Sequence, residues 1–203
     1  KVVRVLENNE GVKAQQDEAG AQPVEFFNFT TSEGVDLNGY MIKPANFDAT
    51  KKYPVFMTLY GGPGSQEVLD GWMGADYWWY QSIAQQGYII ACVDNSGTGG
   101  RGEEFKKMTY LQLGHFETID QIEAAKYLGR LPYADSSRIG IFGWSYGGYM
   151  SSLCLLKGND VFNSAIAVAP VTNWKWYDSI YTERYMRTTN ENSKGYEDNS
   201  PIN

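Results

Sequence analysis

Gly143-Trp144-Ser145-Tyr146-Gly147 is the stretch whose residue types and spacing suit covalent chemistry. An apolar run over 138–142 precedes it, and a run of helix length over 146–157 follows. That context makes a common Gly-Ser-Gly spacing into a nucleophile elbow, a reversal so sharp that glycine is needed on either side. The turn lifts Ser145 Oγ above a sheet edge. It also leaves the Tyr146 N–H at a helix N-terminus, aimed where an oxyanion would form. Gly148 extends the close approach of helix and strand. Ser145 is accordingly read as a nucleophile.

The elements needed to hold this turn follow from pattern and punctuation. Residues 24–29 and 37–42 read as strands joined by Thr31-Ser32-Glu33-Gly34. A third strand over 54–60 runs into Gly61-Gly62-Pro63-Gly64, and a helix over 72–86 ends at Gly87. Strands over 88–93, 138–142 and 164–169 alternate with helices over 118–128 and 146–157. Glu117 and Thr118 stand near the start of the first of those helices. Strand and helix alternating at these lengths predict an α/β fold with a mostly parallel sheet. Residues 1 to about 22 are polar and read as a helix-turn or linker.

Composition narrows the class. A chain of 203 residues with 42% hydrophobic and 20% charged residues can bury one good core. A net charge of −7 argues against nucleic acid as a partner. No apolar run reaches the roughly 18 residues of a membrane span, and the segment from Lys1 to Glu7 lacks the apolar core of a signal peptide. Cys92 and Cys154 lie in apolar runs and read as buried free thiols. No His, Cys or carboxylate cluster has ligand spacing, so neither a metal nor an organic cofactor is expected. Aromatic residues make up 15% of the chain, with a dense group near the C-terminus.

Four segments together carry a family resemblance. Gly143-Trp144-Ser145-Tyr146-Gly147-Gly148-Tyr149 resembles the active-site segment of the prolyl oligopeptidase family of serine peptidases. Tyr60-Gly61-Gly62-Pro63-Gly64-Ser65-Gln66 is similar to its oxyanion loop. Ala169-Pro170-Val171-Thr172-Asn173-Trp174 and the run from Tyr177 to Tyr185 are similar to the dipeptidyl peptidase IV branch. The resemblance implies an α/β-hydrolase fold whose C-terminal part is missing here. Residues 1–22 would leave a β-propeller, also missing, and 23–203 would form the N-terminal part of the peptidase domain. It further implies that Tyr60 donates its phenol O–H to the oxyanion beside the Tyr146 N–H. Tyr146, Val171, Trp174, Tyr177 and Tyr181 would line the pocket for the residue before the scissile bond. A tight aromatic box suits proline, a flat apolar ring without an N–H. The expected substrates are peptides with proline, or alanine, at the penultimate position. A homodimer of the full-length protein and a secreted, periplasmic or membrane-associated location are expected on the same ground.

The triad is incomplete. In this fold the order is Ser, then Asp or Glu, then His, and no histidine follows Ser145. The single histidine, His115, reads as a surface or capping residue, while Asp160, Asp178 and Asp198 fall outside any triad-like segment. The chain alone is therefore expected to be inactive. Ser96 stands where relatives carry Arg, with Arg101 as the nearest substitute. Gly97-Thr98-Gly99-Gly100-Arg101-Gly102 formally matches a dinucleotide fingerprint, but it does not follow the first strand of a βαβ unit. An esterase, a prolyl tripeptidyl or acylaminoacyl peptidase, and a non-catalytic hydrolase-like binding domain are the remaining alternatives. The proline-sized aromatic set weighs against an esterase, and the intact elbow weighs against a binding domain.

Overall fold

A computed structural model describes residues 2–203; Lys1, the first residue of the expected linker, lies outside them. Strands β1 (Val24–Thr30), β2 (Asp36–Ile42), β3 (Tyr53–Thr58), β4 (Ile89–Asp94), β5 (Ala134–Trp144) and β6 (Ser164–Val168) form one sheet in the order β1-β2-β4-β3-β5-β6. β1, β2 and β4 pair antiparallel, and β4, β3, β5 and β6 run parallel. Every residue of β4 is buried, as its Ile-Ile-Ala-Cys-Val sequence requires of a parallel strand covered on both faces.

Among the described residues, seven α-helices accompany the sheet: α1 (Glu10–Glu18), α2 (Ala75–Gln85), α3 (Glu103–Lys107), α4 (His115–Gly129), α5 (Tyr146–Lys157), α6 (Ser179–Met186) and α7 (Ser193–Asp198). Ala124, Ala125 and Leu128 of α4, with Met150, Leu153 and Cys154 of α5, pack against Val55, Met57, Ile89, Val93, Ile139 and Ile141. Each large apolar side chain so buried contributes about 1.5–3 kcal/mol. A smaller cluster joins Tyr80 and Ala84 of α2 to Ile42 and Ile90. Both cysteines are free and buried.

Register brings the strand ends level. Thr58 is opposite Cys92 on one side and Phe142 on the other. Tyr60, Asp94 and Ser145 therefore leave the sheet along one edge, at the carboxyl ends of the parallel strands, where open α/β sheets place ligands.

Three boundaries differ from the sequence expectation by three residues or more. The helix foreseen from residue 72 begins at Ala75, because Gly74 takes φ 62° at its N-cap and Trp72 stays exposed. The helix foreseen from Thr118 begins at His115, because Gly114, with φ 85°, supplies the N-cap; Glu117 and Thr118 sit inside the helix. The strand foreseen over 138–142 extends back to Ala134. Residues 10–18 of the expected linker are helical with no buried residue, and Gln16 donates to the Tyr77 hydroxyl at 3.0 Å.

Candidate active site

Ser145 sits between β5 and α5 with φ 58° and ψ −112°, a conformation that costs a non-glycine residue about 1–3 kcal/mol. The surroundings enforce it. A Cβ on Gly147 would lie 2.2 Å from the Leu59 carbonyl oxygen, and one on Gly143 would lie 2.3 Å from the Gly147 carbonyl oxygen. These two glycines allow β5, α5 and the end of β3 to meet. The Ser145 N–H donates to the Val168 carbonyl at 2.9 Å, which ties the turn to the end of β6. The strand after it closes in strain as well, with Ala169 at φ 46°.

The side chains assigned to one pocket by sequence do meet. Tyr60, Ser145, Tyr146, Val171, Trp174, Tyr177 and Tyr181 line a single cavity of about 20 Å³, room for roughly one water. Trp174 forms its back. Its ring lies 5.7 Å from Tyr146, 5.9 Å from Tyr177 at 87°, and 6.0 Å from Tyr181 in a stacked arrangement. Trp174 is 1% exposed and Tyr177 is 44% exposed, so the box has a fixed rear and an open front. Trp174 lies in a short 3-10 turn (Trp174–Trp176), Tyr177 directly follows it, and Tyr181 lies in α6. Asn173 caps the turn by accepting the Lys175 N–H, and Asp178 caps α6 by accepting the Tyr181 N–H at 2.9 Å.

The Tyr60 and Ser145 side chains line the same cavity, and burial raises the Tyr60 phenol above the usual tyrosine range. A phenol that stays neutral remains a donor. The Tyr60 main-chain N–H donates to Glu67 Oε2 at 3.1 Å. Asp94 in turn accepts the N–H groups of Glu67 and Val68 at 3.0 and 2.9 Å. Burial raises the carboxyl groups of both Glu67 and Asp94.

Behind Tyr146 stands another carboxyl group. Glu117 is 0% exposed and its Oε1 accepts the Tyr146 hydroxyl at 2.7 Å. Burial pushes the Glu117 carboxyl up to about 7, against donors at the start of α4 and the Tyr146 hydroxyl that act to lower it. Sequence reading placed Glu117 only as an acid near a helix start and singled out neither Glu67 nor Asp94. A fully apolar strand ending in Asp, as β4 does, was the available signal for Asp94.

The remaining candidates are placed elsewhere. His115 is exposed at the first turn of α4. Asp160 is exposed, Asp178 serves as a helix cap and Asp198 pairs with Lys194. Ser96 is buried and donates its N–H to Asp120 at 2.7 Å. Arg101 does not replace the arginine expected there: it lies over the Phe105 ring at 4.2 Å and donates to the Asp36 carbonyl. The glycine-rich loop after β4 leads into α3, five residues long, whose first turn carries Glu103 and Glu104. Two carboxylates at that helix start repel a phosphate.

The chain resembles known proteins over nearly its whole length. The sequence model described as the prolyl oligopeptidase family matches residues 75–203. A probable dipeptidyl-aminopeptidase B of Trichophyton verrucosum is 44% identical over 202 residues, covering 99% of this chain and 22% of that protein. A probable dipeptidyl peptidase 4 of Emericella nidulans is 40% identical over 195 residues, covering 96% of this chain and 25% of that protein. The crystal structure of Porphyromonas gingivalis dipeptidyl peptidase 4 superposes with a TM-score of 0.92 at 48% identity, covering 98% of this chain and 28% of that one. This chain thus spans about a quarter of the length of these relatives. With the same α/β-hydrolase architecture, the elbow and the level strand ends, the chain belongs to the prolyl oligopeptidase family.

Proposed function

We propose that Ser145 is the nucleophile of a serine dipeptidyl peptidase that releases Xaa-Pro or Xaa-Ala dipeptides from peptide N-termini. The observation that carries this reading is the single cavity shared by Ser145, Tyr60 and the aromatic box. Ser145 Oγ attacks the carbonyl carbon of the penultimate residue. The Tyr60 O–H and the Tyr146 N–H hold the resulting oxyanion, a pair worth several kcal/mol in the transition state. The Ser145 proton passes to a histidine and then to the departing amine, leaving an acyl-enzyme that water hydrolyses. The histidine and its aspartate belong to a part of the protein outside these residues, as does the propeller preceding residues 1–22. Residues 23–203 are then the N-terminal part of the peptidase domain. The names of the relatives support the dipeptidyl assignment.

Proline specificity follows from the shape of the box. The ring would enter at the exposed Tyr177 front and meet the buried Trp174 at the rear. The rigid rear set by Trp174 then limits the size of the ring admitted.

The test is turnover of Xaa-Pro, Xaa-Ala and Xaa-Leu amides by the full-length protein and by this chain alone. The full-length protein is expected to cleave Xaa-Pro and Xaa-Ala and to spare Xaa-Leu. The isolated chain is expected to be slower by on the order of a millionfold, the cost of losing triad members. Equal rates for Xaa-Leu, or rapid turnover by the isolated chain, would refute the reading.

A further inference from the structure

Glu117 touches the pocket wall yet has no part in the chemistry set out above. Its Oε1 accepts the Tyr146 hydroxyl at 2.7 Å, and main-chain N–H groups at the start of α4 act on the same carboxyl group. Burying a carboxyl group costs several kcal/mol even so. An exposed acid would serve the start of α4 at far lower cost, since a glutamate in the third helical position caps from the surface. Helix capping alone therefore does not account for a glutamate that is 0% exposed.

The backbone is built to bring it there. Gly114, the N-cap of α4, lies so close to α5 that a Cβ would fall 1.9 Å from the Tyr149 hydroxyl. Glycine at 114 leaves room for the Tyr149 hydroxyl, which donates to the Leu113 carbonyl at 2.8 Å and docks α5 on the start of α4 that carries Glu117. The Tyr146 ring also has aromatic neighbours, with Tyr149, Trp174 and Tyr60 at 5.2, 5.7 and 6.0 Å.

We propose that Glu117 is a positioning residue: it holds the Tyr146 phenol, and thereby fixes the ring as pocket wall and the Tyr146 N–H beside Ser145. The inference rests on the peptidase reading above. The titratable groups facing Glu117 are Asp120 on its own helix, Tyr146, Tyr149 and Cys154 on α5, and Tyr181 on α6. None of them is a cation, so burial dominates and the carboxyl group titrates near 7. Its carboxylate form grips the phenol more strongly than its acid form, so the wall tightens as pH rises through that range.

The experiment measures kcat and KM for Xaa-Pro and Xaa-Ala amides on the full-length protein from pH 5.5 to 9, for wild type, Glu117→Gln and Glu117→Ala. The ratio of the two kcat/KM values cancels the ionisation of the general base, which both substrates share. In wild type the proline preference rises through about pH 7. Glu117→Gln, which keeps an acceptor oxygen but cannot ionise, retains a strong preference that no longer varies with pH. Glu117→Ala loses about tenfold of the preference, mainly through KM for proline. A flat wild-type ratio, or a pH-dependent ratio in Glu117→Gln, overturns the proposal.

Wild-type cleavage of neither amide would instead sink the peptidase reading. Glu117 is then judged on the near-ultraviolet tyrosine band over the same pH range. A difference spectrum with a midpoint near 7 in wild type and none in Glu117→Gln upholds the contact; identical spectra in both refute it.

Discussion

Two tyrosines flank Ser145, and each is anchored from behind by a carboxyl group, half-buried Glu67 or fully buried Glu117, but by opposite ends. Tyr60 is held by its main chain: its N–H donates to Glu67 at 3.1 Å, and its side chain lines the cavity it shares with Ser145. Tyr146 is held by its side chain: its phenol donates to Glu117 at 2.7 Å. Its N–H, in the first turn of α5, has no helical carbonyl to bond. The burial matches, with Tyr60 36% exposed and Tyr146 2% exposed. On the proposed mechanism, each residue offers the reaction whichever donor its carboxyl group has not taken, and two donors of different kind serve one serine.

The largest effect that separates the two sides is expected at Tyr60. Tyr60→Phe in the full-length protein removes the donor itself, and kcat should fall about 100- to 1000-fold with KM within a few-fold. Steady-state kinetics on an Xaa-Pro amide reads both. A loss confined to KM would remove Tyr60 from the oxyanion role.

Next in size is a pH effect on stability from the Tyr146 side. The Glu117 carboxyl is raised from 4.5 to about 7 in the folded protein, so the native state binds its proton more tightly than the unfolded state does. Stability is therefore fully present below 4.5 and declines as pH rises to about 7, by up to about 3 kcal/mol. Burial raises the Glu67, Asp94 and Asp120 carboxyls in the same direction. Thermal melts of wild type minus Glu117→Gln isolate the Glu117 share. An identical pH dependence in both proteins would show that Glu117 carries no such linkage.

The smallest effect is expected from Tyr146→Phe. The N–H donor survives, so kcat should fall by less than about tenfold, while the orphaned Glu117 costs roughly 1–3 kcal/mol of stability. If Tyr60→Phe and Tyr146→Phe lower kcat equally, the division of labour between phenol and main chain is wrong.

Much of the site could be read before folding, because its signals are local. The elbow needs glycines two residues either side of Ser145, and the helix over 146–157 has the bounds foreseen. The pocket residues were legible through the family resemblance, although Trp174 and Tyr181 come from different elements. The carboxyl groups behind the tyrosines were not. Glu117 has the sequence signature of a solvated helix start, and its burial depends on Gly114 letting α4 press on Tyr149 of α5, a contact distant in sequence. Glu67 lies in a polar loop and is drawn inward by Asp94 of β4, again through pairing that no window of sequence contains. Helix starts at Ala75 and His115 were displaced because glycines at positive φ, rather than side-chain caps, open both helices.

The most direct measurement is covalent labelling of the full-length protein with a serine-directed phosphonate bearing a proline side chain, followed by peptide mapping. The label is predicted on Ser145 alone, and Ser145→Ala should take up none while keeping its fold by circular dichroism. Labelling that persists in Ser145→Ala, or that maps to another serine, would contradict the account.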